Sequence, residues 1–447
     1  MAVARLSDDS DWVPTRALRR AVTMTTVLLV VAALTSRWDL IVLAAPFAIG
    51  AAVSLRNRPR QLPDAVVGTS APYLSEGGQA EVRVSVANPD HAPYDLAVIR
   101  TELSPWLRVA NGDRPFLTPV PAFGVVDLDL VGTAERWGRL PVGPLEVHAV
   151  ACDAMLQSRP IVAEPLLLRV FPKTEPFKAD DAMPRAAGLV GAHRSRRYGD
   201  GGELAGIRQF SPGDRLRRID WRTSLRTREL HVAHTLSDRD AEVVLVLDVL
   251  HEAEATTRPR RNGEPGTRAS VLDTTVRAAA GIAQHYLSCG DRVSMLEYGA
   301  RTRWLRPGSG RRHHLAALEW LLDVHPGGTE YDPLEGMFSR HLRSSNALFV
   351  VLTPLLEVRS AGLLARLARA GRSVVAVDTL PAMLRPASSS EWGDVGYRIW
   401  RLERENTIGQ LLEHGVPVVP WAGAGSLDQV LRDMSQLAAA PRAAGLR

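Results

Sequence analysis

Cysteine is almost missing from these 447 residues: Cys152 and Cys289 are the only two, far apart and in no ligand-like spacing. That excludes a disulfide framework and a cysteine-rich zinc site, and it points to a reducing compartment. Aromatic residues are sparse as well, at 6%. Few rings are interleaved where arginines crowd together, which disfavours a stacking platform for nucleic-acid bases. No nucleophile stands beside an evident base. A net positive balance is also lacking over most of the chain. Between Arg185 and Glu229 there are eleven arginines, no lysine and five acids, a net of +6, whereas the whole chain is +5, so everything else sums to −1. The pI near 9.5 therefore describes one segment rather than a basic domain.

What is present is ordinary globular material, 45% hydrophobic and 23% charged, long enough for two or three domains. Residues 1–61 read as a polar tail and a transmembrane hairpin. Arg16, Arg19 and Arg20 precede the apolar run Ala21 to Ser36, and a second run, Leu40 to Leu55, is followed by Arg56, Arg58 and Arg60. Each run is short of the ~20 residues that cross hydrocarbon, a gap that snorkelling arginines and local thinning close. Helices are expected at about 17–36 and 40–56. Arginines at both outer ends and a nearly neutral turn place both ends in the cytoplasm, giving a two-pass protein of the inner or plasma membrane. Trp38 suits an interfacial anchor. The rivals are a cleaved signal peptide, against which no small-residue cleavage site separates the runs, and a buried helical hairpin.

Residues 62–172 switch to period two. Glu81 to Val86, Leu96 to Ile99, Val125 to Val131, Leu145 to Val150 and Leu166 to Phe171 are strand-like runs between Pro, Gly and Asn clusters, as in a β-sandwich. A spacer or protein-binding module fits this stretch best. Residues 241–440 alternate strands with helices, as in a doubly wound α/β domain. Strands are expected at Ala241–Asp248, Val293–Tyr298, Ala347–Leu352, Ser373–Asp378 and Val416–Val419. Helices are expected at Ser270–Cys289, Leu315–Val324, Ala361–Ala370, around Trp400–His414 and near Leu427–Leu437, with Gly290 and Gly371 as stops. Ligands in such sheets bind beyond the carboxyl ends of the strands, which singles out Asp248 and Thr353.

Residues 173–240 hold the arginines. Ser211-Pro212-Gly213 fits a tight turn and Asp214 can cap the helical turn that follows. Asp214 then faces Arg217 or Arg218, Trp221 lies between Arg218 and Arg222 where a guanidinium can stack, and Asp220 offers a bidentate partner to an arginine. Five acids can neutralise five arginines in an internal lattice; the surplus six need solvent or a partner. An acidic protein surface is the favoured partner, the inner membrane leaflet second and nucleic acid third. His231 and His234, three apart in a strand, point to opposite faces, and His313 and His314 read as a solvated basic turn. Arginines around Asp214 and Asp220 keep both ionised, which suits structure better than proton transfer.

The residues Gly206, Arg208, Phe210, Gly213 and Asp214, followed by Arg217, Ile219, Asp220, Trp221, Arg222, Ser224 and Arg226, resemble the signature of the family called domain of unknown function 58. The layout is similar too, with a membrane hairpin, a β-rich segment and a von Willebrand factor A-like domain. The resemblance implies a MoxR-type AAA+ ATPase as partner and a non-enzymatic role in maturing envelope proteins or complexes. A-like domains often bind a divalent cation through Asp-x-Ser-x-Ser, a threonine and a further aspartate. Here the first loop reads Asp248-Val-Leu250-His-Glu252 without its serines, Thr329 matches the threonine, and Leu352-Thr353-Pro354 stands where the aspartate is expected. Two matched ligands are too few for a hard cation, even with Glu252, so no cofactor is expected. Two alternatives stay open: nucleic-acid binding or phosphodiesterase activity at Asp214, Asp220 and the arginines, and metal-dependent adhesion by the A-like domain.

Overall fold

Alternation of exposed and buried residues along Gln79–Ala87 and unbroken burial from Val243 to Asp248 set the two halves of the chain apart. The computed structural model describes residues 11–110, 112, 114–174, 198–211, 219–236, 242–256, 268–328, 347–381, 384 and 391–421. The chain divides into two units, Met1–Phe171 and Pro172–Arg447.

In the first unit the strands are β1 (Trp12–Pro14), β2 (Asp64–Thr69), β3 (Tyr73–Ser75), β4 (Gln79–Ala87), β5 (Tyr94–Leu103), β6 (Leu107–Val109), β7 (Phe116–Val120), β8 (Val125–Ala134), β9 (Gly138–Ala151), β10 (Leu156–Ser158), β11 (Ile161–Ala163) and β12 (Leu166–Phe171). One sheet runs β2-β4-β8-β6. The other gathers β1, β10, β9, β12 and β3, with β11 and β5 also on β9 and β7 on β5. Period two turns Val82, Val84 and Val86 of β4 inward to meet Ile99, Leu145, Val147 and Leu168 from the other sheet. Each such side chain stabilises the fold by roughly 1.5–3 kcal/mol on burial.

The apolar runs form α1 (Arg16–Thr35) and α2 (Asp39–Ser54), the latter continued by a 3-10 turn at Leu55–Asn57. Both are long and apolar enough to cross a membrane, and only 6% of each apolar window is buried. Val42, Val53, Leu34 and Trp38 stand exposed. The base of the hairpin is bolted to one end of the sandwich. Trp12 is buried against Tyr94, its indole N–H donating to the Gln61 carbonyl at 3.2 Å, while β1 extends the sheet along β10. Thr15 caps α1 and donates from its hydroxyl to the Ala154 carbonyl at 2.7 Å, and Ser54 donates to Asp153 Oδ2 at 2.5 Å. Two residues of the tail read above as merely polar, Trp12 and Thr15, thus carry the attachment.

The second unit contains β13 (Tyr198–Gln209), β14 (His231–Leu236), β15 (Glu242–Asp248), β16 (Glu254–Thr256), β17 (Arg268–Ser270), β18 (Arg292–Tyr298), β19 (Trp304–Gly308), β20 (Ala347–Thr353), β21 (Ser373–Asp378) and β22 (Val418–Pro420). Its helices are α3 (Trp221–Thr227), α4 (Val271–Cys289), α5 (Gly310–Leu321), α6 (Val358–Arg369) and α7 (Glu391–Glu413). A six-stranded sheet runs β19-β18-β15-β20-β21-β22. All its pairings are parallel except that of β19 with β18. Val243 to Leu247 and the whole of β20 are buried, as a sheet covered on both faces requires. The Ser270 hydroxyl accepts the Asp273 N–H at 3.0 Å to start α4, and Gly290, at φ 90°, ends it in the left-handed region where a side chain is strained.

Several boundaries differ from the pattern reading. Helix α5 begins at Gly310, so His313 and His314 lie within it and not in a solvated turn. His313 docks its Nε2 on the Val293 carbonyl at 2.7 Å, and burial lowers the pKa of His314. Helix α7 starts at Glu391, nine residues before Trp400, and the antiparallel edge strand β19 was not anticipated. The helix expected near Leu427–Leu437 falls outside the described residues.

Candidate functional site

Counted in chain order, the parallel strands lie 2-1-3-4-5, so the order reverses between β15 and β20 and the ligand crevice of such a sheet opens at their carboxyl ends. Asp248 ends β15 and Thr353 ends β20, as the strand pattern indicated. The structure brings them together and adds a third group. Asp248 Oδ2 accepts from the hydroxyls of Thr353 and Ser360, both at 2.6 Å, and Oδ1 accepts the Leu250 N–H at 3.2 Å. Thr353 Oγ1 in turn accepts the Leu355 N–H at 3.0 Å. All three side chains are buried. Burial pushes the Asp248 carboxyl above its usual range against the pull of Ser360, Thr353 and the Leu250 amide.

Other described side chains near these strand ends also bond within the protein. Arg404 of α7 reaches Asp378 at 2.5 Å and donates twice to the Pro354 carbonyl, at 3.1 and 3.2 Å. Glu357 pairs with Arg359 and meets His251 at 3.2 Å. Glu252 accepts the Ser270 hydroxyl at 2.8 Å and the Leu272 N–H at 3.1 Å, so it seats the start of α4. Chemically this crevice ties β15, β20, β21 and α6 together. The two short hydroxyl bonds both fall on Asp248 Oδ2. Among the described residues no three His, Cys, Asp or Glu side chains gather as a metal-binding group; Thr329 lies outside the described residues.

A second buried acid sits on β18. Glu297, 2% exposed, pairs with Arg303 at 3.2 Å, and Arg303 also donates to the Trp320 carbonyl at 2.8 Å while lying 4.6 Å from the centre of that indole ring. Burial pushes Glu297 up to about 7, with Arg303 pulling it back. The folded chain therefore holds a proton that the unfolded chain releases nearer pH 4.5, and stability falls as pH rises through that window. Thermal melting between pH 5 and pH 8 should show this fall, with a ceiling of about 3 kcal/mol at 1.36 kcal/mol per unit. Glu297→Gln should flatten it. An equally steep profile in that variant would assign the effect to another group.

The arginine segment builds a small, ordered module. β13 and β14 pair antiparallel, Ile219 bridges to Val232, and the Phe210 N–H donates to the Leu230 carbonyl at 2.9 Å. Among the described residues, Asp220 has a defined structural role. It is the N-cap of α3, accepting the Thr223 N–H at 2.8 Å, and this bond holds its carboxyl below the usual range. Ser224 is buried, donating to the Asp220 carbonyl at 2.7 Å and accepting the His231 N–H at 2.8 Å, so it pins α3 to β14. Trp221, expected between stacking guanidiniums, is 62% exposed, and Leu225 one turn on is 79% exposed. Arg222 and Arg226 are exposed beside them, and Arg228 ends the helix in the left-handed region. Arg208 is exposed and bonds the Gln209 carbonyl at 3.0 Å. Gly213, Asp214 and Arg217 lie outside the described residues.

The signature already included Ser224, though not its anchoring role, whereas Ser360 and the Glu297–Arg303–Trp320 cluster were not singled out from the sequence. A single acid inside the largely apolar Val293 to Tyr298 run was the available signal for Glu297. Nothing in spacing marks Ser360.

Residues 206–383 match the family described as protein of unknown function DUF58. Uncharacterized proteins of Mycobacterium bovis and Mycobacterium tuberculosis are 29% identical to the chain over 147 residues, 32% of its length. The chain spans 44% of the length of those relatives. Among solved structures, the C-terminal domain of wzt is similar at 12% identity and a TM-score of 0.18, covering 28% of this chain and 84% of that one. A lipoprotein from Bacteroides thetaiotaomicron is similar at 18% identity and a TM-score of 0.14, covering 23% and 81%. Both scores are too low to define a fold.

Proposed function

We propose that this chain, which carries a DUF58 domain over residues 206–383, is a membrane-anchored, non-enzymatic interaction protein whose folded units lie on the cytoplasmic side. The observation that carries the proposal is the exposed Trp221–Leu225 face of α3, flanked by Arg222 and Arg226, on a helix whose cap and buried serine fix its geometry. An apolar pair inside a basic rim is the composition of an interaction hot spot for an acidic protein surface. The partner that the resemblance implies is a MoxR-type AAA+ ATPase, in the maturation of envelope proteins or complexes.

Support for the anchor is the hairpin's exposed apolar surface, which water would not tolerate. Basic residues at both outer ends support the two-pass, cytoplasmic orientation. Support for an A-like second unit comes from the 2-1-3-4-5 strand order with Asp248 at its switch point. A role that needs no bound cation is consistent with Asp248 being committed to Thr353 and Ser360.

The test is co-purification of the full-length, detergent-solubilised chain with a MoxR-type ATPase. The wild-type chain should retain the ATPase, and the double variant Trp221→Ala with Leu225→Ala should lose it while melting at the wild-type temperature. Equal retention by both would overturn the α3 docking face.

A further inference from the structure

Helix α7 turns one face inward and leaves an apolar seam on the other. Arg404 is held by Asp378 and the Pro354 carbonyl, and Leu411 is buried in the core of the sheet. Diametrically opposite, Trp392, Val395, Ile399 and Leu402 are exposed, at 81%, 46%, 53% and 60%. Their spacing of three, four and three is that of alternating a and d positions in a heptad repeat, with Arg404 and Leu411 at f. One turn further, the next a position is Asn406, also exposed.

We propose that α7 pairs with α7 of a second copy as a short, parallel, two-stranded coiled coil. Three observations on this helix select that occupant. Isoleucine at a (Ile399) with leucine at d (Leu402) favours two strands over three or four. A single asparagine at a (Asn406) sets register and oligomeric state. The flanking positions complement each other: Arg398 occupies g and Glu403 the following e, both exposed. A parallel pair therefore sets Arg398 of each copy beside Glu403 of the other, twice by symmetry. An antiparallel pair that sets Val395 beside Ile399 brings Arg398 of each copy together, whereas one that sets Ile399 beside Leu402 brings Arg398 beside Glu405, so the parallel choice rests on Asn406, which meets its own equivalent at a only in a parallel pair. The internal Arg401–Glu405 bridge at 3.0 Å supports the helix without using the seam.

The experiment uses the full-length chain in detergent with both native cysteines replaced by serine. Leu402→Cys should form a disulfide-linked dimer under mild oxidation, because equivalent d positions meet in a parallel pair. Val358→Cys, on the exposed start of α6, serves as the collisional control and should cross-link several-fold less. Adding Arg398→Glu to Leu402→Cys should reduce the dimer several-fold, and further adding Glu403→Arg should restore it. Equal cross-linking at positions 402 and 358 would overturn the pairing. A charge swap that fails to restore the dimer would overturn the parallel register.

Discussion

Asp248→Ala is expected to abolish cooperative folding of the second unit at 37 °C. The substitution orphans three buried donors at once: the hydroxyls of Thr353 and Ser360 and the Leu250 N–H. Each unsatisfied buried donor costs about 1–3 kcal/mol, so the sum is on the order of several kcal/mol, against a total stability of about 5–15 kcal/mol for a domain. The substitution removes the acceptor of all three bonds, and burial pushes the carboxyl it deletes above its usual range. Asp248→Asn keeps the shape and one carbonyl acceptor, so it should fold with a lowered melting temperature. Urea unfolding of the full-length chain checks both variants. An alanine variant within about 1 kcal/mol of wild type would show that the hydroxyls find other acceptors or water.

The second large effect concerns the hairpin. Val27→Arg together with Phe47→Arg should strip the chain from alkali-washed membranes. Both positions sit near the middle of their helices and both are exposed, so neither substitution disturbs the sandwich core. A charge at the centre of a membrane helix costs roughly 2.5–3.5 kcal/mol on insertion scales, and two such charges oppose both passes. Retention of the doubly substituted chain in the membrane pellet would count against spanning. Melting of the sandwich should be unchanged, which separates loss of insertion from loss of folding.

How much of this was legible in the sequence depends on which physics set each element. Strands β4, β8 and β9 follow the period-two pattern because one face of each meets the core. Strands β15 and β20 are unbroken apolar runs because they lie in the middle of a parallel sheet. The stop at Gly290 and the cap region at Ser270 and Asp273 followed local chemistry. Helix α7 was cut short in the pattern reading because Trp392, Val395, Ile399 and Leu402 lie on its outward face. Its inward face holds Tyr397, Arg404 and Leu411, so no single apolar stripe marks the side turned to the domain. Asp220 was readable as functional or structural, and only the Thr223 N–H at 2.8 Å assigns it to the cap. The Asp248 network joins residues more than a hundred positions apart in sequence, which no local window contains. The hairpin's two runs were evident from composition, whereas the burial of Trp12 beside Tyr94 was not, because a single tryptophan in a polar tail has no periodicity to betray it.

The docking face on α3 is the centre of the functional account, and its most direct test is a titration. The full-length chain in detergent is titrated with a purified MoxR-type ATPase at two salt concentrations, alongside Trp221→Ala and Arg222→Glu. A hot-spot aromatic is worth about 2 kcal/mol or more, so Trp221→Ala should weaken binding at least ~30-fold at either salt concentration. Arg222→Glu should weaken binding chiefly at low salt, as a charge on the rim of the interface does. Wild-type affinity in both variants, or no binding by the wild-type chain, would contradict the account.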